Sequence, residues 1–232
     1  MRASLTKYPH GPAQPLELIE LVGSGNDRDC WRHPLDGNLC IKVAKPHQKR
    51  PQNEIDYHYW LHLQKRKISS VHMPRVHGWV TTDRGPGLVF DLIHEPDGSP
   101  SPPLLNAVDS GQLTQEQAIE LINEAFGWLV QSKVILADYG ANNLLVRLGA
   151  DGRRHLVFVD GLGARNFTLH YWIRRHLGFK AVRKARKYHL KTLRLLEAHR
   201  AAALGLPPRI VPQARPEPVD PAPAPVMSKQ VP

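Results

Sequence analysis

Residues 134–163 read VILADYGANNLLVRLGADGRRHLVFVDGLG, and this stretch decides the fold. It holds two short apolar strands, Leu144–Leu148 and Leu156–Val159, on either side of a Gly149-Ala150-Asp151-Gly152 turn. A polar loop, Asp138-Tyr139-Gly140-Ala141-Asn142-Asn143, leads into the first strand, and Asp160-Gly161 leads out of the second. A hairpin whose arms both end in carboxylate or amide side chains brings them to one point. Oxygen donors gathered in this way suit Mg²⁺, which takes one or two carboxylates together with substrate phosphates. From Asp138 to Asn143 the spacing is D-x-x-x-x-N, that of a catalytic loop with a base and a metal-holding amide.

Upstream, Leu16–Val22 alternates well enough for a first strand and runs into Gly23-Ser24-Gly25-Asn26-Asp27-Arg28-Asp29. A glycine turn between strands can lay backbone N–H groups over phosphates, although most such turns merely turn. Cys30–Pro34 leads out of it. After a Leu35–Asn38 turn, Leu39-Cys40-Ile41-Lys42-Val43 reads as a strand with Lys42 on the face of Cys40 and Ala44. A lysine among small residues below a glycine turn suits the pairing of nucleotide phosphates; the plainer reading is an edge lysine that deters aggregation. Pro51–Lys67 reads as a helix with Glu54 in its first turn, where a carboxylate also suits the helix dipole. Met73–Val80 and Gly87–Ile93 read as an antiparallel pair joined through Asp83–Pro86. The second of these is almost wholly apolar, so it is expected to be central and buried. His94–Pro103 is rich in proline and glycine and reads as a connector.

Downstream, Thr114-Gln115-Glu116-Gln117 is a capping box opening a helix to about Lys133, with Ala118, Leu121, Ile122, Ala125 and Leu129 at burial spacing. Another helical region follows from Phe167 to about Leu204, with Phe179, Val182, Leu193 and Leu196 as its apolar stripe. Beyond Pro207 the proline- and alanine-rich tail is expected to be disordered.

With 232 residues, 41% of them hydrophobic, the chain can bury a real core. It contains no run of about 18 apolar residues and no apolar N-terminal stretch of secretory length. Its two cysteines, Cys30 and Cys40, lack zinc spacing and read as structural thiols of a reduced, cytoplasmic chain. Nearly all of the formal net charge of +10 lies between Arg174 and Arg200, where ten lysines and arginines face one acid, Glu197. That segment points to an anionic partner, a membrane or a phosphorylated glycan, or else to a solvated helix face. Nucleic acid is the weaker partner reading, because only Phe179 and Tyr188 there offer rings for base stacking.

Glycine turn, strand lysine, helix glutamate, D-x-x-x-x-N loop and strand-end aspartate occur in one order. In that order the chain resembles the protein-kinase-like fold over about residues 16–170. More closely, GSGNDRDCWRHPLDGNLCIKV at 23–43, HGWVTTDRGPGLVFDLI at 77–93 and the NNLLV…VDGLG hairpin resemble the bacterial YrbL family, described as a PhoP regulatory network protein. The resemblance implies an α+β, two-lobed fold: a leader at 1–15, an N-lobe with a small antiparallel sheet at 16–93 and a hinge at 94–103. A reduced, mainly helical C-lobe at 104–205 and a disordered tail at 206–232 complete it. It also implies ATP and Mg²⁺ as cofactors. Gly23 and Gly25 would then lie over the phosphates, and Lys42 would pair with phosphate and with Glu54. Asp138 would orient or deprotonate the acceptor hydroxyl, and Asn143 and Asp160 would hold the metal.

Several positions depart from the protein-kinase pattern. Arg28 replaces the third glycine, Leu136-Ala137 precede Asp138, Gly140 follows it by two, and Gly161-Leu162 follow Asp160. No A-P-E stretch follows, nor is there room for a long activation segment. A small-molecule or glycan kinase fits this length better than a loop-regulated protein kinase, as in the lipopolysaccharide-core sugar kinases at the inner membrane face. The alternative is a pseudokinase that keeps the fold as a regulator or scaffold.

Overall fold

The computed structural model describes residues 14–48, 50–137, 140–149, 151–163 and 178–209. Five antiparallel strands form one sheet: β1 (Leu21–Ser24), β2 (Arg28–Arg32), β3 (Leu39–Ala44), β4 (Val76–Thr82) and β5 (Gly85–Asp91), in the order β1-β2-β3-β5-β4. Strand alternation sorts its side chains. Ile41, Val43 and Val89 pack on one face under Leu16 and Leu18. On the other, Cys40, Leu88 and Phe90 meet Tyr57 and Trp60 of helix α1 (Gln52–Lys65). Strand β5 lies between β3 and β4 with Gly87–Phe90 buried, as its apolar run predicts.

The second unit of structure is helical. It comprises α2 (Leu104–Asp109), α3 (Gln115–Ser132), the hairpin β6 (Leu144–Leu148) and β7 (Arg154–Phe158), and α4 (Gly178–Leu204). The hairpin registers Leu144 with Phe158 and Leu148 with Arg154; its first arm has its expected bounds, and its second begins two residues and ends one residue earlier than expected. Phe126 of α3 meets Phe158 edge-on at 5.3 Å, and Leu129, Leu136, Val146, Leu156 and Leu196 close around them. Each fully buried side chain of this size contributes about 1.5–3 kcal/mol by leaving water. The Thr114 cap is fully formed: its hydroxyl accepts from Gln117 N–H at 3.2 Å, and its own N–H donates to Gln117 Oε1 at 2.9 Å.

Three expectations are corrected, and one helix, α2, is added. The alternating run at 16–22 pairs as a strand only from Leu21; before that, Leu16 bridges to Thr82 and Leu18 N–H donates to the Asp83 carboxylate. These contacts seat Leu16 and Leu18 on the sheet face while Ile19 stays exposed. The β4–β5 turn is only Asp83-Arg84, tightened by the Thr82 hydroxyl donating to Gly85 O at 2.6 Å. Helix α2 was hidden because six residues after Pro103 are too few to display a period. Along α4 the buried stripe is Ala181, Ala185, His189, Thr192, Leu193 and Leu196, whereas Phe179 is 65% exposed. Small and polar side chains form that stripe because the helix packs closely against α3, with His189 bonded to Asn123 at 2.8 Å. The expected helix start at Phe167, and nearly all of the leader and tail, lie outside the described residues.

Candidate functional site

A cleft of about 700 Å³ separates the β1–β2 turn and the inner face of β3 from the end of the β6–β7 hairpin. Gly23, Gly25, Lys42, Asn143 and Asp160 all line it, although they come from segments far apart in sequence. Gly25 N–H donates to Arg28 O at 2.8 Å, closing the turn. A Cβ built on Gly23 would meet nothing within 4 Å, so that position opens on free space above the cleft. Ser24 Oγ donates to Asp29 at 2.7 Å and accepts from Lys45 Nζ at 2.8 Å, which staples the turn to β3.

Lys42 lies on the cleft face of β3 with its ammonium 4.6 Å from the centre of the Phe90 ring. Its amine donates to Val159 O at 2.8 Å, immediately before Asp160. Glu54 stands in the first turn of α1, outside the cleft lining, and no ion pair joins it to Lys42 among the described residues. The helix approaches the site with different side chains. Asn53 donates to Lys42 O at 2.8 Å, and both Asn53 and Asp56 face Arg28.

Arg28 is the residue that sequence reasoning missed. Only 7% exposed, its guanidinium bonds Asn53 Oδ1 at 3.0 Å, Asp56 Oδ2 at 2.7 Å and Asp160 Oδ1 at 2.9 Å. One planar fork thus ties the glycine turn to α1 and to the strand-end aspartate, a geometry suited to arginine and not to lysine. Burial alone would lower the Arg28 pKa, but attraction to Asp56 and Asp160 outweighs it and raises the value. For Asp160, burial works upward and is overcome by Lys42 and Arg28, which hold the carboxyl below its ordinary range. The available signal was an arginine where the turn pattern calls for a glycine, with an amide and a carboxylate, Asn53 and Asp56, in reach of it on α1.

The hairpin delivers the remaining groups. Val159 N–H donates to Asn143 O at 3.0 Å, so Asn143 and Asp160 end adjacent arms. A Cβ at Gly140 would lie 2.9 Å from Asn143 Nδ2, so the amide occupies space that only glycine leaves. Asp160 Oδ1 accepts from Arg28 and from Gly161 N–H, the latter at 2.8 Å, while Oδ2 makes no hydrogen bond among the described residues. Gly161, at φ +82°, turns the chain back in a conformation that favours glycine. It accepts Ala137 N–H at 2.7 Å, and Gly163 N–H donates to Ile135 O at 2.8 Å, so residues 135–137 run beside 161–163. Lys184 of α4 caps this contact by donating to Ala137 O at 2.6 Å. Asp138 itself lies outside the described residues, between Ala137 and Gly140.

Cys30 and Cys40 share the cleft wall. The hydrogen bond from Cys40 lowers the Cys30 pKa to about 7, against its burial and with help from Lys42 and Arg28. No helix among the described residues is long and apolar enough to cross a membrane.

A family model described as PhoP regulatory network protein YrbL matches residues 16–193. Over 146 residues the chain is 28% identical to a protein of Escherichia coli (strain K12) named "Uncharacterized protein YrbL", covering 61% of this chain and 70% of that one. A protein of the same name from Shigella flexneri matches to the same extent. The matched region takes in the glycine turn, Arg28, Lys42, the hairpin and most of α4: the chain belongs to the YrbL family.

Proposed function

We propose that this protein is an ATP- and Mg²⁺-dependent phosphotransferase acting on a hydroxyl of a small molecule or glycan. In this reading the sheet with α1 is the smaller lobe of a protein-kinase-like pair, and α2–α4 with the hairpin form the larger. The observation that carries it is the convergence of Lys42, Asn143 and Asp160 on one cleft beneath a glycine turn.

The chain's residues divide the work of positioning and charge neutralisation that phosphoryl transfer requires. Gly23 and Gly25 let the backbone approach the phosphates, and Lys42 places a cation beside them. Arg28 keeps Asp160 ionised and fixes one of its oxygens, leaving the other for the metal. The donor set fits Mg²⁺, since Asn143 and Asp160 offer hard oxygens from adjacent arms. Bound there, Mg²⁺ would neutralise charge on the phosphates. Asp138 would accept the proton of the acceptor hydroxyl as the phosphoryl group leaves ADP.

A second reading, a pseudokinase acting as regulator or scaffold, is favoured by one observation. Lys42 is bonded to a backbone carbonyl and Glu54 stands apart, so the lysine–glutamate pair of active kinases is not made. Labelled ATP with Mg²⁺ separates the readings. The phosphotransferase shows slow turnover that drops by about a hundredfold or more in Asp138→Ala and Asp160→Ala. Nucleotide binding without Asp138-dependent turnover gives the pseudokinase, and failure to bind nucleotide overturns both.

A further inference from the structure

Helix α4 carries a second feature that the cleft does not use. At 3.6 residues per turn, Lys180, Arg183, Lys187, Lys191 and Arg194 fall in a stripe roughly 80° wide and about 21 Å long. The stripe lies opposite the buried Ala185, His189, Thr192 and Leu196. Arg183, Lys187 and Arg194 have no charged partner among the described residues, and Lys180 lies 5.9 Å from the Phe179 ring. The helix has one acid, Glu197, and that is taken by Arg200 at 2.6 Å. Lys184 is turned inward to Ala137 and belongs to the site. Beside the stripe, Arg186 adds charge, and Phe179 exposes 65% of its surface.

Like charges three and four residues apart destabilise a helix by repulsion, and ordinary surface helices interleave acids to avoid it. A stripe of one sign therefore gains most from a surface that repeats negative charge along its length. An apolar ring at the edge of such a stripe adds a second kind of contact. Cations with a flanking aromatic suit the headgroup–acyl boundary of a bilayer, where the ring enters and the cations stay with the headgroups. Stacked bases would call for aromatics along the stripe, which has none.

We propose that the Lys180–Arg194 face of α4, with Phe179 at its edge, docks the protein peripherally on a bilayer of anionic phospholipids. This surface is independent of the phosphotransferase reading, so vesicle binding and ATP turnover can fail separately.

The test is co-sedimentation of the full chain with phosphatidylcholine vesicles, with and without phosphatidylglycerol, at rising salt. Binding is expected only to the mixed vesicles and is expected to fall with salt. The Lys180→Glu/Arg183→Glu/Lys187→Glu variant should bind at least about tenfold more weakly. If that variant misfolds by circular dichroism, Lys180→Gln/Lys187→Gln serves instead, with a smaller loss in the same direction. Phe179→Ser should weaken binding a few-fold while leaving the salt dependence intact, because it removes only the apolar contact. Equal binding to neutral vesicles, no binding to either, or tighter retention on duplex DNA than on mixed vesicles would overturn the proposal.

Discussion

Two buried regions of this protein are held together in different ways. Beneath the hairpin, Phe126, Phe158, Leu156 and Leu196 form a core with no charge in it. Beneath the glycine turn, Arg28, Asn53, Asp56 and Asp160 form a seam in which each member needs the others. A hydrophobic core loses stability in proportion to what is removed and how far the hole collapses. An ionic seam behaves discontinuously, because deleting one partner leaves an opposite charge buried and unpaired. The core builds the scaffold, and the seam sets the orientation of the residues that face the cleft.

The largest expected effect lies in the core. Phe158→Ala should cost about 3–5 kcal/mol in urea unfolding, since the ring is fully buried against Phe126. Arg28→Met should cost somewhat less, about 3 kcal/mol, because Asp160 retains 42% exposure and can be hydrated. Adding Asp56→Leu to Arg28→Met should recover part of that loss. Strictly additive losses in this double-mutant cycle would break the comparison, because the seam would then be no more than separate contacts.

Acid separates the two regions further. His189 in the core has its pKa lowered by burial from 6.5, so the unfolded chain binds the proton more readily. Its contribution is full above about pH 6.5 and is lost as the pH falls toward the folded value. Asp160 is also depressed, but as a carboxylate its contribution is full above its unfolded value near 3.8 and is lost only below that. Stability measured against pH should therefore decline in two separated steps, the lower one diminished in Arg28→Met and the upper one in His189→Gln. The remaining effects are smaller. Thr114→Ala should cost about 1 kcal/mol by removing the cap of α3. Iodoacetamide should alkylate Cys30 with a midpoint near pH 7, raised in Cys40→Ala, which removes the hydrogen-bonding thiol.

What the sequence made legible follows the same division. The hairpin, strand β5 and the capping box of α3 declare themselves through local spacing, and each stands within a residue or two of its expected place. The gathering of Lys42, Asn143 and Asp160 was legible because each sits at the end or on the inner face of such an element. The seam was not, since Arg28 finds partners 25, 28 and 132 residues away, and no local period encodes that choice. Glu54 looked like the helix carboxylate of the site because it lies in the first turn. One turn of geometry instead presents Asn53 and Asp56, which share the inward side of α1. The buried stripe of α4 was read only in part, with Leu193 and Leu196 buried as expected, for a related reason. Ala185, His189 and Thr192 carry little hydrophobic signal, yet close packing against α3 selects them over the exposed Phe179.

The shared guanidinium of Arg28 also bears on how this family can change. A neutral residue at position 28 leaves two acids facing each other at the edge of the cleft, and a neutral residue at 56 or 160 leaves the buried guanidinium with one carboxylate where it now has two. Single substitutions are thus selected against more strongly than paired ones, so positions 28, 56 and 160 should drift together. In an alignment of many relatives, a co-variation signal linking these three positions would mark the seam without any structure at all.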